Sequence, residues 1–283
     1  MFGLFKRKRT DPAAELRKAL GGARLPSFPA VTMQVLEAVR DPHAPLSRIG
    51  ELVQQDPALT VKLLKSVNTA ASGLQRRCES VPHAVALLGR SRVEQLVLAL
   101  AVSEALPKLT APGHSPDSFW RAAARRATVA QCLADVLDPK SRSVSFTAAL
   151  LQDMAVPLLV QRRGGFYCKL LEQWHGDQGE LDALEHEALG FTHADIASWL
   201  AADWCFPEAL GYALGGHHGS DEPELDAPAP VRLVAVMGEH DEVRMEPIVE
   251  TARTLYGARS DHVVRAVNKG LDNAAEVAAL FSA

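Results

Sequence analysis

Ser145-Phe146-Thr147-Ala148-Ala149-Leu150-Leu151-Gln152-Asp153-Met154-Ala155-Val156-Pro157-Leu158-Leu159-Val160 is a mostly apolar run with a single carboxylate inside it. Leu150, Leu151, Met154, Val156, Leu158 and Leu159 supply the apolar positions of a core helix expected over 145–160. An ionised carboxylate is costly to bury alone. Asp153 therefore needs a cation, hydrogen-bond donors or a ligand.

Helical signals continue on both sides of this run. Upstream, Phe119 to Leu137 carries Trp120, Ala124, Val129, Cys132, Leu133 and Val136 at helical spacing. Earlier helices are expected over 12–20, 30–40, 80–89 and 91–106, with Gly21-Gly22 and Gly89 as stops. Ser47 is read as the cap of a helix containing Ile49, Leu52 and Val53, and Asp56-Pro57 as a cap followed by proline in the first turn. Downstream, helices are expected over 166–174, 180–189, 192–204, 207–217, 231–241 and 261–281, with an acidic surface loop over 221–230. No run of alternating β-branched segments with tight hairpin turns occurs, and no internal repeat stands out. The fold class expected is all-α. Pro107 to Asp117, with three prolines and a glycine, is the best linker. It divides a basic tail with a short helix (1–24) and a first helical lobe (25–110) from a second helical lobe (118–283).

Composition bounds the function. The chain has 283 residues, 47% hydrophobic, 23% charged, and a net charge of −4, which disfavours nucleic-acid binding through global charge. The longest continuous apolar run, Leu96 to Val102, is far short of the roughly 20 residues of a membrane helix. The start, with Lys6, Arg7, Lys8 and Arg9 beside Phe2, Leu4 and Phe5, reads as a solvated terminus rather than a signal peptide. Four scattered cysteines form no CxxC pair, so the reducing cytoplasm is the simplest compartment.

Ten histidines are the unusual feature. Three constellations carry chemistry: Gln152-Asp153, Glu185-His186-Glu187 with His193 behind it, and His217-His218 after Gly215-Gly216. Imidazole and carboxylate are the usual ligands of Zn, Fe, Mn or Ni. Each pattern also has a plain reading: a salt-bridged acid, or histidines in a surface turn. Cys132 and Cys168 read as core thiols, and Trp174, Trp199 and Trp204 as packing residues. Arg76, Arg77, Arg90, Arg92, Arg125 and Arg126 would be the basic face of a nucleotide or nucleic-acid binder, or simply solvated ends. No phosphate loop and no nucleophile elbow is present.

Taken in order, the blocks resemble the HDOD domain, a relative of the HD and HD-GYP phosphohydrolases of bacterial signalling. The resemblance rests on Leu25-Pro26-Ser27-Phe28-Pro29, Gln55-Asp56-Pro57-Ala58-Leu59, Val67-Asn68, Ala84-Val85-Ala86-Leu87-Leu88-Gly89 and Phe119-Trp120. It continues through Ala149-Leu150-Leu151-Gln152-Asp153, Gly190-Phe191-Thr192-His193, Trp204-Cys205-Phe206-Pro207 and His217-His218. It implies that the second lobe is an HD-like helical bundle.

The resemblance also implies a metal site from which this chain departs. Ala122 or Ala123 stands at the early histidine, Gln152 replaces the histidine of the His-Asp pair, and the late aspartate falls near Val236, with His240 and Asp241 a turn further. Asp153, His193, His217 and His218 survive. Losing a partner that merely orients a ligand typically costs about 10–100-fold in affinity or activity, and here two or three ligand positions are vacant. The expectation is a remnant site at Gln152, Asp153, His193, His217 and His218, with no catalytic metal, no cofactor, and Asp153 held by an arginine or histidine. The function expected is a non-catalytic, stand-alone signalling or regulatory protein. It would bind a partner protein and, as a further option, a small nucleotide in the cleft between the lobes, in two-component or cyclic-dinucleotide signalling. The alternatives are a phosphohydrolase with a reduced ligand set and a nucleotide or nucleic-acid binding module.

Overall fold

The computed structural model describes residues 11–22, 25–68, 77–175, 180–219, 227–238 and 244–281. Among these, every regular element is helical, and a single isolated bridge, Ala111 to His114, is the nearest approach to a strand. The basic N-terminus, Arg76, most of the acidic loop, and His240 with Asp241 lie outside the described residues.

The first lobe holds α2 (Ala30–Arg40), α3 (Leu46–Gln54), α4 (Pro57–Val67) and α5 (Val81–Ala105). The first three pack on α5. Asp56 caps α4 by accepting from the N–H groups of Ala58 at 2.9 Å and Leu59 at 3.1 Å. Asn68 ties the end of α4 to Cys78 through bonds of 2.7 and 2.8 Å. Gly89 bends α5 with φ +70°, a backbone region that favours glycine, so the expected stop is a kink between two joined helices. Ser47 does not cap α3: the helix begins at Leu46 with Pro45 before it.

The second lobe is built on α6 (Pro116–Leu137), opened by a reciprocal cap between Ser115 and Ser118. Against it pack α7 (Arg142–Leu151), α13 (Ala229–Val234) and α15 (Ser260–Ala278). The approach of α15 is so close that a Cβ on Gly270 would lie 2.5 Å from the Cα of Val129. The helix expected over 145–160 is two. α7 stops at Leu151, and α8 (Val156–Arg163) starts afresh with Pro157 in its first turn, where a missing N–H costs nothing. Between them a run of turns over 152–155 is held by the Met154 N–H on the Leu151 carbonyl and the Val156 N–H on the Asp153 carbonyl, both at 2.9 Å. A helix absent from the sequence reading, α14 (Met245–Tyr256), precedes α15. α13 is shorter than the helix expected over 231–241.

The remaining helices are α9 (Gly165–His175), α10 (Leu181–Leu189), α11 (His193–Asp203), α12 (Glu208–Gly215) and, at the front of the chain, α1 (Pro12–Ala19). One apolar core contains residues from both sides of the Pro107 to Asp117 segment, and α1 packs on α11. Phe28 meets Trp204 at 4.7 Å and stacks on Phe206 at 5.9 Å, while the Trp204 indole N–H donates to the Pro26 carbonyl. The first and eighth sequence blocks are thus one contact. The stretch Pro139–Arg163 is long and apolar enough to cross a membrane, but 78% of its apolar window is buried inside the protein.

Candidate functional site

The turn at 152–155, α6, and the starts or ends of α11 and α12 converge on one polar cluster inside the second lobe. Thr192 caps α11 by accepting from the Asp195 N–H, which places His193 at the first helical position with its ring turned inward. His217 and His218 follow the end of α12. Their Nε2 atoms meet: His193 to His217 at 3.2 Å and His193 to His218 at 3.1 Å. Asp153 Oδ1 lies 3.6 Å from His193 Nε2 and 3.9 Å from His217 Nε2. The sequence-predicted residues Asp153, His193, His217 and His218 therefore share one site. Gln152 adjoins it, buried, with an Oε1 that has no protein partner among the described residues.

Three further residues complete the cluster: Glu185, from the constellation singled out with His193, and Arg126 and Tyr167, which the sequence does not place there. Arg126 on α6 is 2% exposed; its Nη2 stands 2.6 Å from Asp153 Oδ2, and its Nη1 donates to the Met237 carbonyl at 3.0 Å. Glu185 on α10 is fully buried and takes both the Nδ1 and the backbone N–H of His193 at 2.7 Å. Tyr167 on α9 donates its hydroxyl to Glu185 Oε1. Arg126, expected among solvated or phosphate-facing arginines, is instead an internal counter-ion. Arg90 is likewise engaged, donating to the carbonyls of Ala38, Val39 and Asp41. The basic face drawn from the sequence does not assemble from these two residues.

The electrostatics follow from the geometry. Burial pushes the Asp153 carboxyl up, but Arg126 and then the histidines outweigh it and hold it at about 2. Burial lowers His193, yet Glu185, its hydrogen bond and Asp153 raise it to about 9. Burial and the neighbouring imidazoles push His217 well below its ordinary value, and burial with His193 takes His218 to about 4. His217 directs Nδ1 at the Leu214 carbonyl, 2.7 Å away, leaving Nε2 as the acceptor. One proton, carried by His193, thus serves three imidazoles whose Nε2 atoms face one another.

A metal ion would serve the same place. Metal–nitrogen bonds of about 2.0–2.1 Å in a tetrahedral site imply ligand separations of roughly 3.3–3.4 Å, close to the imidazole spacings found. The His193, His217 and His218 donors all lie within 4.8 Å of one another, with Asp153 Oδ1 beside them. The donor set fits one divalent ion. It does not fit two: the Arg126 guanidinium takes the other carboxylate oxygen of Asp153, and Gln152, Ala122 and Ala123 carry neither imidazole nor carboxylate. Val236 is 56% exposed and offers no ligand.

Comparison with known proteins agrees with this architecture. The HDOD domain family matches residues 25–220. An uncharacterized protein of Treponema pallidum (strain Nichols) is 26% identical over 195 residues, 69% of this chain and 37% of that protein, so the chain spans little more than a third of that relative. A candidate phosphohydrolase from Shewanella amazonensis SB2B superposes with a TM-score of 0.77 at 20% identity, over 95% of this chain and 98% of its own. An HDOD domain protein of unknown function from Geobacter sulfurreducens gives 0.70 at 18%, over 95% and 96%. A candidate signal transduction protein from Marinobacter aquaeolei VT8 gives 0.72 at 20%, over 96% and 66%. At these identities the structures share a fold. The family match covers well over half of the sequence: the chain belongs to the HDOD domain family.

Proposed function

We propose that this chain is a non-catalytic signalling or regulatory module, cytoplasmic, that acts by binding a partner protein, with Asp153, His193, His217 and His218 as a remnant cluster rather than a hydrolytic centre. The observation that carries this reading is the Arg126 guanidinium, 2.6 Å from Asp153 Oδ2. A fixed side-chain cation already neutralises that carboxylate oxygen, which a second metal ion would otherwise need as a ligand. The likeness to a structure described as a candidate signal transduction protein supports the signalling sense of the proposal.

A second reading is favoured by the convergent Nε2 atoms: a phosphohydrolase with one metal. Asp153, His193, His217 and His218 would hold the ion, and its chemistry there would be to polarise a phosphate oxygen and acidify a bound water. Purified protein assayed on bis(p-nitrophenyl) phosphate with Mn, Fe and Ni, beside elemental analysis, separates the two. The regulatory reading expects no turnover above buffer with metal, whatever the metal content, and a reproducible partner in pull-down from native lysate. Turnover that disappears in Asp153→Ala would overturn it in favour of the enzyme.

A further inference from the structure

We propose that the cavity between α4, α5, α6, α7 and α15 is a binding site for a nucleotide-like anion, a planar ring system carrying a phosphate. The cavity encloses about 440 Å³, within the range of small-molecule sites. None of the residues of the histidine cluster lines it, so it stands independently of the function proposed above.

Its lining divides by chemistry. Arg92 and Arg142 supply the positive charge, against one lining carboxylate, Glu276. Asp135 holds the Nε of Arg142 at 2.7 Å, which leaves the terminal N–H groups of that guanidinium. Arg92 makes no hydrogen bond or ion pair with the protein among the described residues. Partial burial and the nearby Arg142 both disfavour its charge. Two guanidinium groups lining one cavity are suited to a phosphate or carboxylate.

The rest of the cavity suits a ring. Phe146 and Phe281 both line it, and Phe281 is held by stacking one face on Trp120 at 4.7 Å and 14°. The amides of Gln131 and Asn273 also line the space and have no protein partner among the described residues. An unpaired amide offers a donor and an acceptor together, the pattern that reads the edge of a nucleobase. A purely apolar ligand would leave both amides and Arg92 unmet. Inorganic phosphate would leave the aromatic walls empty.

The test is isothermal titration of the full chain with adenosine monophosphate and guanosine monophosphate, with adenosine and inorganic phosphate as separate probes. At least one nucleotide is expected to bind saturably, roughly tenfold or more tighter than adenosine or phosphate alone. Arg92→Gln is expected to weaken that binding by about tenfold or more. Gln131→Leu is expected to narrow the difference between the two nucleotides, and His218→Ala to leave binding unchanged. Circular dichroism establishes that the variants keep their helix content. Failure of both nucleotides to saturate below about 1 mM would overturn the proposal. So would binding that is indifferent to Arg92→Gln, or binding lost in His218→Ala, which would move the nucleotide to the histidine cluster.

Discussion

Arg126→Met removes a buried guanidinium and leaves Asp153, whose side chain is only 20% exposed, facing the histidines without its main counter-ion. The size of the effect follows from the carboxyl itself. Its fall from 3.8 to about 2 corresponds to about 2–3 kcal/mol of native-state stabilisation. Methionine also deprives the Met237 carbonyl of its donor, and breaking one side of a buried pair typically costs about 3–5 kcal/mol. Urea denaturation followed by circular dichroism at pH 7 should therefore place the variant about 3 kcal/mol below the parent. The sign with pH is fixed: a depressed carboxyl stabilises fully above its unfolded value near 3.8 and loses that contribution as pH falls toward 2. The gap between parent and variant should narrow as pH falls from about 4 toward 2. Asp153→Asn in the Arg126→Met background should recover part of the loss, with a coupling of about 2 kcal/mol in the double-mutant cycle. Additive single effects, or a loss under about 1 kcal/mol at pH 7, would refute the internal counter-ion.

Three further outcomes follow from the same geometry. Glu185→Gln in metal-free protein should lower the NMR titration midpoint of His193 from about 9. Because that value is raised, the stabilisation it represents is complete below 6.5 and lost as pH rises toward 9, so the variant's stability should fall less over that interval; an unmoved midpoint contradicts the assignment. Tyr167→Phe leaves the buried Glu185 Oε1 without its donor, and should cost about 1–3 kcal/mol in denaturant unfolding. Gly270→Ala forces a methyl against the Val129 backbone, and should lower stability by about 1–3 kcal/mol or more, read as a fall in the thermal midpoint; an unchanged midpoint would mean that α6 and α15 yield freely.

The all-helical class and much of the site are legible because the apolar periods, and the ordered blocks that resemble the family, carry them. Asp153, His193, His217 and His218 stand at recognisable places in the sequence: the turn after α7, the capped start of α11 and the end of α12. Arg126 was not legible from its type, since Arg125 beside it is chemically the same. Its phase is the missing signal: Phe119, Ala123, Arg126, Ala130 and Leu133 share the buried face of α6. Glu185 was singled out beside His186, but nothing local says that it bonds a histidine eight residues on. The break after Leu151 was written in Pro157, which starts a helix more readily than it continues one. The spacing of Met245, Ile248, Val249 and Ala252 marks α14 equally well. The pairing of α15 with α6 depends on shape complementarity at Gly270, which no period reveals.

That pairing sets the order in which the molecule can be made. Val129 and Gly270 are roughly 140 residues apart, which at synthesis rates of about 5–20 residues per second separates their emergence by about 7–30 s. For that interval the apolar face of α6, including Val129, Cys132 and Leu133, has no α15 to cover it. Closure of the second lobe is therefore a late, long-range event on the nascent chain, and the interval before it is when the protein is most open to holding chaperones or to aggregation.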